Sequence, residues 1–208
     1  VADVTTTGPG TGFFAGSRLE IGRAGSASFT LENGASVDNR GWLRLATDSG
    51  SSAAFSIRDP NTNCSVARWC EIGGKGIATL EVANGARFDV GQWVRLARDP
   101  GSNAMATIQG KGTIFRIGGA CSLAEDGKSD GTLRVTNGAR LESEHGIFMG
   151  RYAELEVSHN AVVQLRRQLG VRSGRLRVLH SSELTADQVT IGNKGRLSGD
   201  GILRANVL

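Results

Sequence analysis

The sequence predicts an all-β chain wound as a right-handed parallel β-helix of about eight coils, with three short strands per coil. The first observation is a ladder of apolar pairs that recurs every 20 to 27 residues: Leu19/Ile21, Leu43/Leu45, Cys70/Ile72, Val94/Leu96, Cys121/Leu123, Ile147/Met149, Leu169/Val171 and Val189/Ile191. A second ladder keeps the same period through Phe29/Leu31, Phe55/Ile57, Leu80/Val82, Ala106/Ile108, Leu133/Val135, Leu155/Val157 and Leu176/Val178, and fades to Leu197/Gly199. A third column runs Val37, Phe88, Ile114, Leu141, Val163, Leu184, each residue preceded by a turn. Residues i and i+2 share one face of a strand, so each pair points inward and the residue between them points to solvent.

In chain order, residues 1–17, with the turn Gly8-Pro9-Gly10, are expected to form an N-terminal cap or linker, and residues 18–208 a single β-helix domain. The first corner of several coils carries Asn33-Gly34, Asn84-Gly85 or Asn137-Gly138, types that tolerate the positive φ of a sharp bend. Each pair of the first ladder is followed by a small residue or a turn: Gly22, Ala46, Gly73, Ala97, Ala124, Gly150, Gly192. Coil length falls from about 26 to about 21 residues after Ile147, which marks a tapering or specialised C-terminal part. Coils spaced ~4.8 Å apart would make a rod roughly 35–40 Å long. Each buried aliphatic side chain contributes about 1.5–3 kcal/mol to it.

Composition fits this plan and excludes others. Thirty glycines and three prolines suit a chain that turns often yet pairs every strand. No apolar run reaches the roughly 18 residues of a membrane span, so no transmembrane segment is expected. Val1-Ala2-Asp3-Val4 has neither the basic nor the apolar region of a signal peptide. The net charge of +4 is not gathered with aromatics on one face, as nucleic-acid binding would require. Instead, outward columns alternate in sign, as in Glu20, Arg44, Glu71, Arg95 and in Glu81, Thr107, Arg134, Glu156, Arg177. Such cross-strand pairs are worth about 0.2–1 kcal/mol each.

Cys70 and Cys121 share an inward column two coils apart, too far for a disulfide, and act there as small hydrophobes. Cys64 could bridge to Cys70 if it turned inward, an alternative that spacing leaves open. His145, His159 and His180 fall at different phases of the coil and are expected at the surface or at corners. No catalytic set, cofactor or metal site is expected. The nearest approach to a site is a repeated acidic corner after the strand of the first ladder, bearing Asp48, Asp99, Glu125 and Asp126. Asp at a recurrent corner is first a turn former, bonding backbone two residues on. A weak Ca²⁺ or sugar site remains the functional alternative there.

Two stretches carry a family resemblance: Gly76-Ile-Ala-Thr-Leu-Glu-Val-Ala-Asn-Gly85-Ala-Arg-Phe88, followed by Trp93-Val-Arg-Leu-Ala97, and Gly131-Thr-Leu-Arg-Val-Thr-Asn-Gly138-Ala-Arg-Leu141. They resemble the Gly-x-Leu-x-Val-x-x-Gly-Ala-x-Val repeats of bacterial autotransporter passengers and PEP-CTERM-associated surface proteins. The ending, from Gly195 to Leu208, resembles the Leu-x-Gly-x-Gly-x-Ile-x-x-Asn-Val coil common in such passengers. The resemblance covers residues 18–208 and implies a secreted or surface-displayed parallel β-helix of the bacterial outer membrane, often a stalk or virulence adhesin, with no common catalytic residues. It leaves three expectations: a non-enzymatic module presenting a surface to a host or matrix glycan or protein; a polysaccharide lyase or glycosidase-like enzyme using Asp99, Glu125 and Asp126; and a structural protein that self-associates end to end or side by side, helped by exposed Phe148 and Trp42.

Overall fold

The structure, a computed structural model, describes residues 1–207, with side chains to Ala205; Leu208, the last residue of the predicted domain, lies outside the described residues. The chain forms 25 strands and no helix among these residues, and every strand pair is parallel. Eight successive coils occupy residues 2–21, 26–45, 52–72, 77–96, 103–123, 130–149, 153–171 and 175–191, and a partial ninth follows from 196. The first strands stack into a nine-stranded sheet. The second and third strands stack into what becomes one sixteen-stranded sheet, because Glu183–Ile191 runs through both positions without a break. This is the predicted solenoid.

Both inward ladders appear in register. Leu43, Cys70, Val94, Cys121, Ile147, Leu169 and Val189 lie one above another, as do Phe29, Phe55, Leu80, Ala106, Leu133, Leu155 and Leu176. Nearly all are fully buried. The third column needs one correction: Phe115, not Ile114, pairs with Phe88 and Leu141, and Cys64 fills the coil between Val37 and Phe88. Corner length is the cause. The corners at 33–35, 84–86 and 137–139 have three residues, whereas those at 59–62 and 110–113 have four. In a strand, one extra residue moves every side chain to the opposite face.

The extra residue of each four-residue corner has a structural role. Thr62 Oγ1 accepts the backbone N–H of Gly34 at 2.9 Å, and Thr113 Oγ1 accepts that of Gly85 at 2.8 Å. Each hydroxyl therefore satisfies a donor on the preceding, shorter corner.

Side-chain volumes compensate across the core. Phe55 on the first strand faces a coil whose second strand offers Cys64; two coils on, Phe115 is matched with Ala106. The aromatic run Phe29, Phe55, Phe88, Phe115 thus crosses from one sheet to the other, with centroids 5.3, 6.4 and 4.9 Å apart. A close-packed interior requires this exchange of large for small. All three cysteines are buried and free; Cys64 does turn inward, yet no Cys64–Cys70 bridge forms.

Residues 1–17, expected as a cap or linker, carry two strands laid in register on the second coil, Ala2–Thr7 and Gly12–Ala15. The shortening after Ile147 lies mainly in the third corner. That corner has six residues at 46–51, 97–102 and 124–129, but three at 150–152 and 172–174. The long versions begin in the left-handed region at Ala46, Ala97 and Ala124, with φ of 51–52°. Gly150 does not, and a Cβ there would overlap the carbonyl oxygen of Ala124.

Candidate functional site

The acidic corner residues are built into their own turns. Ser51 Oγ donates to the Asp48 carbonyl and Ser102 Oγ to the Asp99 carbonyl, both at 2.6 Å. The Asp126 carboxylate accepts the Lys128 N–H at 3.0 Å and has Ser129 Oγ at 2.6 Å. The corner at 73–76, between Asp48 and Asp99, is short and carries no carboxylate. Asp48 is therefore set apart, while Asp99 and Asp126 occupy successive projecting corners. Asp99 lies 3.9 Å from Arg98, and Glu125 is 3.6 Å from Arg95. Among the described residues, no group of three or more His, Cys, Asp or Glu is arranged to hold a metal ion.

The neighbouring face, outside the third strands, carries a denser arrangement. Trp42, Trp69 and Trp93 each immediately precede an inward pair, so the 24-to-27-residue period places them in one outward column. Their rings stack with centroids 5.1 and 4.8 Å apart and planes within 4°. This spacing is the rise of one coil, so the solenoid itself sets the stacking distance. The Arg44 guanidinium lies 4.7 Å from the Trp42 centroid and 4.9 Å from that of Trp69, and Arg95 lies 4.3 Å from that of Trp93. These are cation–π distances. The sequence signal was available in Trp42-Leu-Arg44, Trp69-Cys-Glu71 and Trp93-Val-Arg95. The expectation of a freely exposed Trp42 is corrected: it is half-buried against Trp69, whereas Phe148 is exposed.

Glu71 anchors this face. It is only 3% exposed, and its Oε2 accepts from Arg98 Nη1 at 3.2 Å. Arg44 Nε, 3.9 Å from Oε1, is in ion-pair range but makes no hydrogen bond, and nearby Thr47 Oγ1 is also without one. The carboxylate thus restrains Arg44, which lies on Trp42 and Trp69, and Arg98 of the next corner, while Arg95 on Trp93 pairs instead with Glu125. Farther along the same face, Phe148, Met149, Gly170, Val171 and Thr190 line an open depression of about 410 Å³.

The histidines are exposed as expected, but two of them do not fall at different phases. His159 and His180 share one corner column, both in the left-handed region (φ 55° and 52°), with rings stacked 4.4 Å apart. Their separation matches the short coils, which places like beside like. No protein-family model matches the chain, and no match was found among curated proteins or solved structures.

Proposed function

We propose that this chain is a non-enzymatic, secreted or cell-surface β-helix module, an adhesin or stalk of a bacterial surface, which presents its Trp–Arg face to a host or matrix glycan or protein. The observation that carries this reading is the Trp42–Trp69–Trp93 stack clamped by Arg44 and Arg95. Tryptophan and arginine are the side chains most often found to dominate binding energies, because they combine large contact area with hydrogen-bond donors. Here they are already ordered before any ligand arrives, which lowers the entropic cost of association. The resemblance to autotransporter passengers supports the surface location. The lyase or glycosidase reading has less support, since Asp99 and Asp126 bracket corners that project rather than line a cleft.

Capture of the full chain on arrays of glycans and extracellular-matrix proteins tests this proposal. A Trp69→Ala or Trp93→Ala variant should lose roughly 30-fold or more in affinity, as expected for an anchor worth about 2 kcal/mol. Equal binding by these variants would remove the face from the account, and capture of no ligand would leave only the stalk.

Self-association rests on a separate observation. At the first coil, Val4, Phe13 and Leu19 border an open hollow of about 140 Å³ at the end of the core, and Val4 and Phe13 are exposed. Unpaired strand edges above an apolar end favour addition of another coil. Light scattering across a range of concentrations separates a fixed monomer from a growing assembly.

A further inference from the structure

The net positive charge of this protein arises in its short coils. Residues 1–149 carry fifteen Lys and Arg against fifteen Asp and Glu; residues 150–208 carry nine against five, which accounts for the whole net charge of +4. The same boundary marks the change from six-residue to three-residue third corners. Where the corners shorten, the surface steps inward beside the projecting turn 124–129. The step leaves an open recess of about 420 Å³. Arg151, Arg175, Lys194 and Arg196 face it, with Tyr152 and Ser173.

None of these four cations makes an ion pair among the described residues, although thirteen such contacts occur elsewhere on the protein. Two carboxylates also border the recess, Asp130 and Glu154, and Glu154 is drawn to Arg177 at 3.7 Å. Arg175 and Arg196 are register partners on adjacent strands, the one like-charge pair in register among the described residues. Like charges placed directly opposite destabilise a sheet. Other outward columns avoid this by alternating sign, as Arg177 does over Glu156 at 3.0 Å. Arg175 is also in register with Glu154 on its other side, but Glu154 makes its ion pair with Arg177, so no ion pair offsets the Arg175–Arg196 contact and an anionic ligand would relieve it.

We propose that this recess binds an anionic polysaccharide through carboxylate or sulfate groups, independently of the Trp–Arg face. Arg175 and Arg196 stand one coil apart along the axis, ~4.8 Å, a step comparable to a single hexose of an extended chain. Arg151 and Lys194 flank them on corners two coils apart. Tyr152, half exposed and with the Arg151 guanidinium 5.1 Å from its ring centre, offers one apolar surface for a sugar ring. A nucleic acid would instead call for a row of aromatics on which successive bases stack, and Tyr152 is the only aromatic in the recess.

Affinity electrophoresis of the full chain through gels containing polygalacturonate, dextran sulfate or neutral dextran tests the proposal, with a single-stranded oligonucleotide as competitor. Retardation by polygalacturonate or dextran sulfate, but not by dextran, is expected; the two anionic gels distinguish carboxylate from sulfate recognition. Arg196→Glu should weaken it at least tenfold while the melting temperature holds or rises, because the like-charge pair becomes an opposite-charge one. Trp69→Ala should leave it unchanged, which separates this site from the Trp–Arg face. Absence of retardation in both anionic gels, equal retardation of Arg196→Glu, or displacement by the oligonucleotide at lower charge concentration than either glycan would each overturn the assignment.

Discussion

Arg98 Nη1 lies 3.2 Å from Oε2 of Glu71 on the preceding coil and closes over a side chain that is 4% exposed. A carboxylate so far from water is stable only with its cationic partners in place. Glu71→Gln should lower stability by about 2 kcal/mol. This is less than the 3–5 kcal/mol for a fully buried pair, because both guanidiniums still reach solvent. Urea midpoints measure the loss, and tryptophan emission should shift as Arg44 is released from the stack. An unchanged midpoint would mean that Glu71 contributes nothing net.

Thr113 Oγ1 accepts the Gly85 N–H and donates to the Gln109 carbonyl at 2.7 Å. Thr113→Val keeps the shape and orphans that N–H, at an expected cost of about 1–3 kcal/mol. Thr113→Ser should recover most of it. If valine and serine behaved alike, the hydroxyl would not be holding the corner.

The strand faces can be tested in pairs. Leu133→Asp places an unpaired charge in a fully buried position and should exceed about 4 kcal/mol. Arg95→Ser, on the outward face, should cost well under about 1 kcal/mol. Denaturant titration of the two variants reports the register directly, since a one-residue slip would reverse their order.

Burial raises the pKa of all three thiols, that of Cys121 to about 12. The thiolate is the reactive species. At pH 8 the folded protein should therefore resist iodoacetamide, and three cysteines should label once urea opens the coils. Rapid labelling of any one in the native state would show a gap in the core.

Glu142 lies between Arg116 and Arg140. Burial raises its pKa, but the hydrogen bonds and charges of both guanidiniums outweigh burial and hold the carboxyl below its usual value of 4.5. Because the folded pKa is the lower one, its contribution is present above the unfolded value and is lost as pH falls through the folded value. Glu142→Gln should destabilise the protein at pH 7 and by less at about pH 3, below the usual carboxylate range, as the lowered folded value is approached. The same difference at both pH values would show that the carboxylate is not engaged.

Much of the architecture was legible because a stacked fold repeats its constraints. Leu96 had to point inward once Ile72 and Leu123 did, and the backbone spacing leaves no other way to bury the column. Legibility ended where the repeat is inexact. Ile114 and Phe115 are both apolar, so hydropathy alone could not choose between them; the choice follows from the extra residue in the 110–113 corner. Residues 1–17 carry no strong ladder, and Val4 and Phe13 are exposed although both strands pair in register with the second coil. The shared corner of His159 and His180 was legible once the shorter repeat is applied, since their separation equals one short coil.

The sequence by itself determined the parallel β-solenoid, the inward pairs, the number of coils and the contraction after Ile147, because period-two burial and a recurrent turn leave few alternatives. Only the tertiary structure decided which outward residues meet. Trp42, Trp69 and Trp93 are separated by unequal stretches of chain, and coil stacking brings them to 5.1 and 4.8 Å. Glu71 looks like any surface carboxylate in the sequence; it is buried because Arg98 reaches back across one coil at the point where the third corner is short. Periodicity encodes direction along a strand, whereas contact between coils depends on corner lengths that must be added up in space.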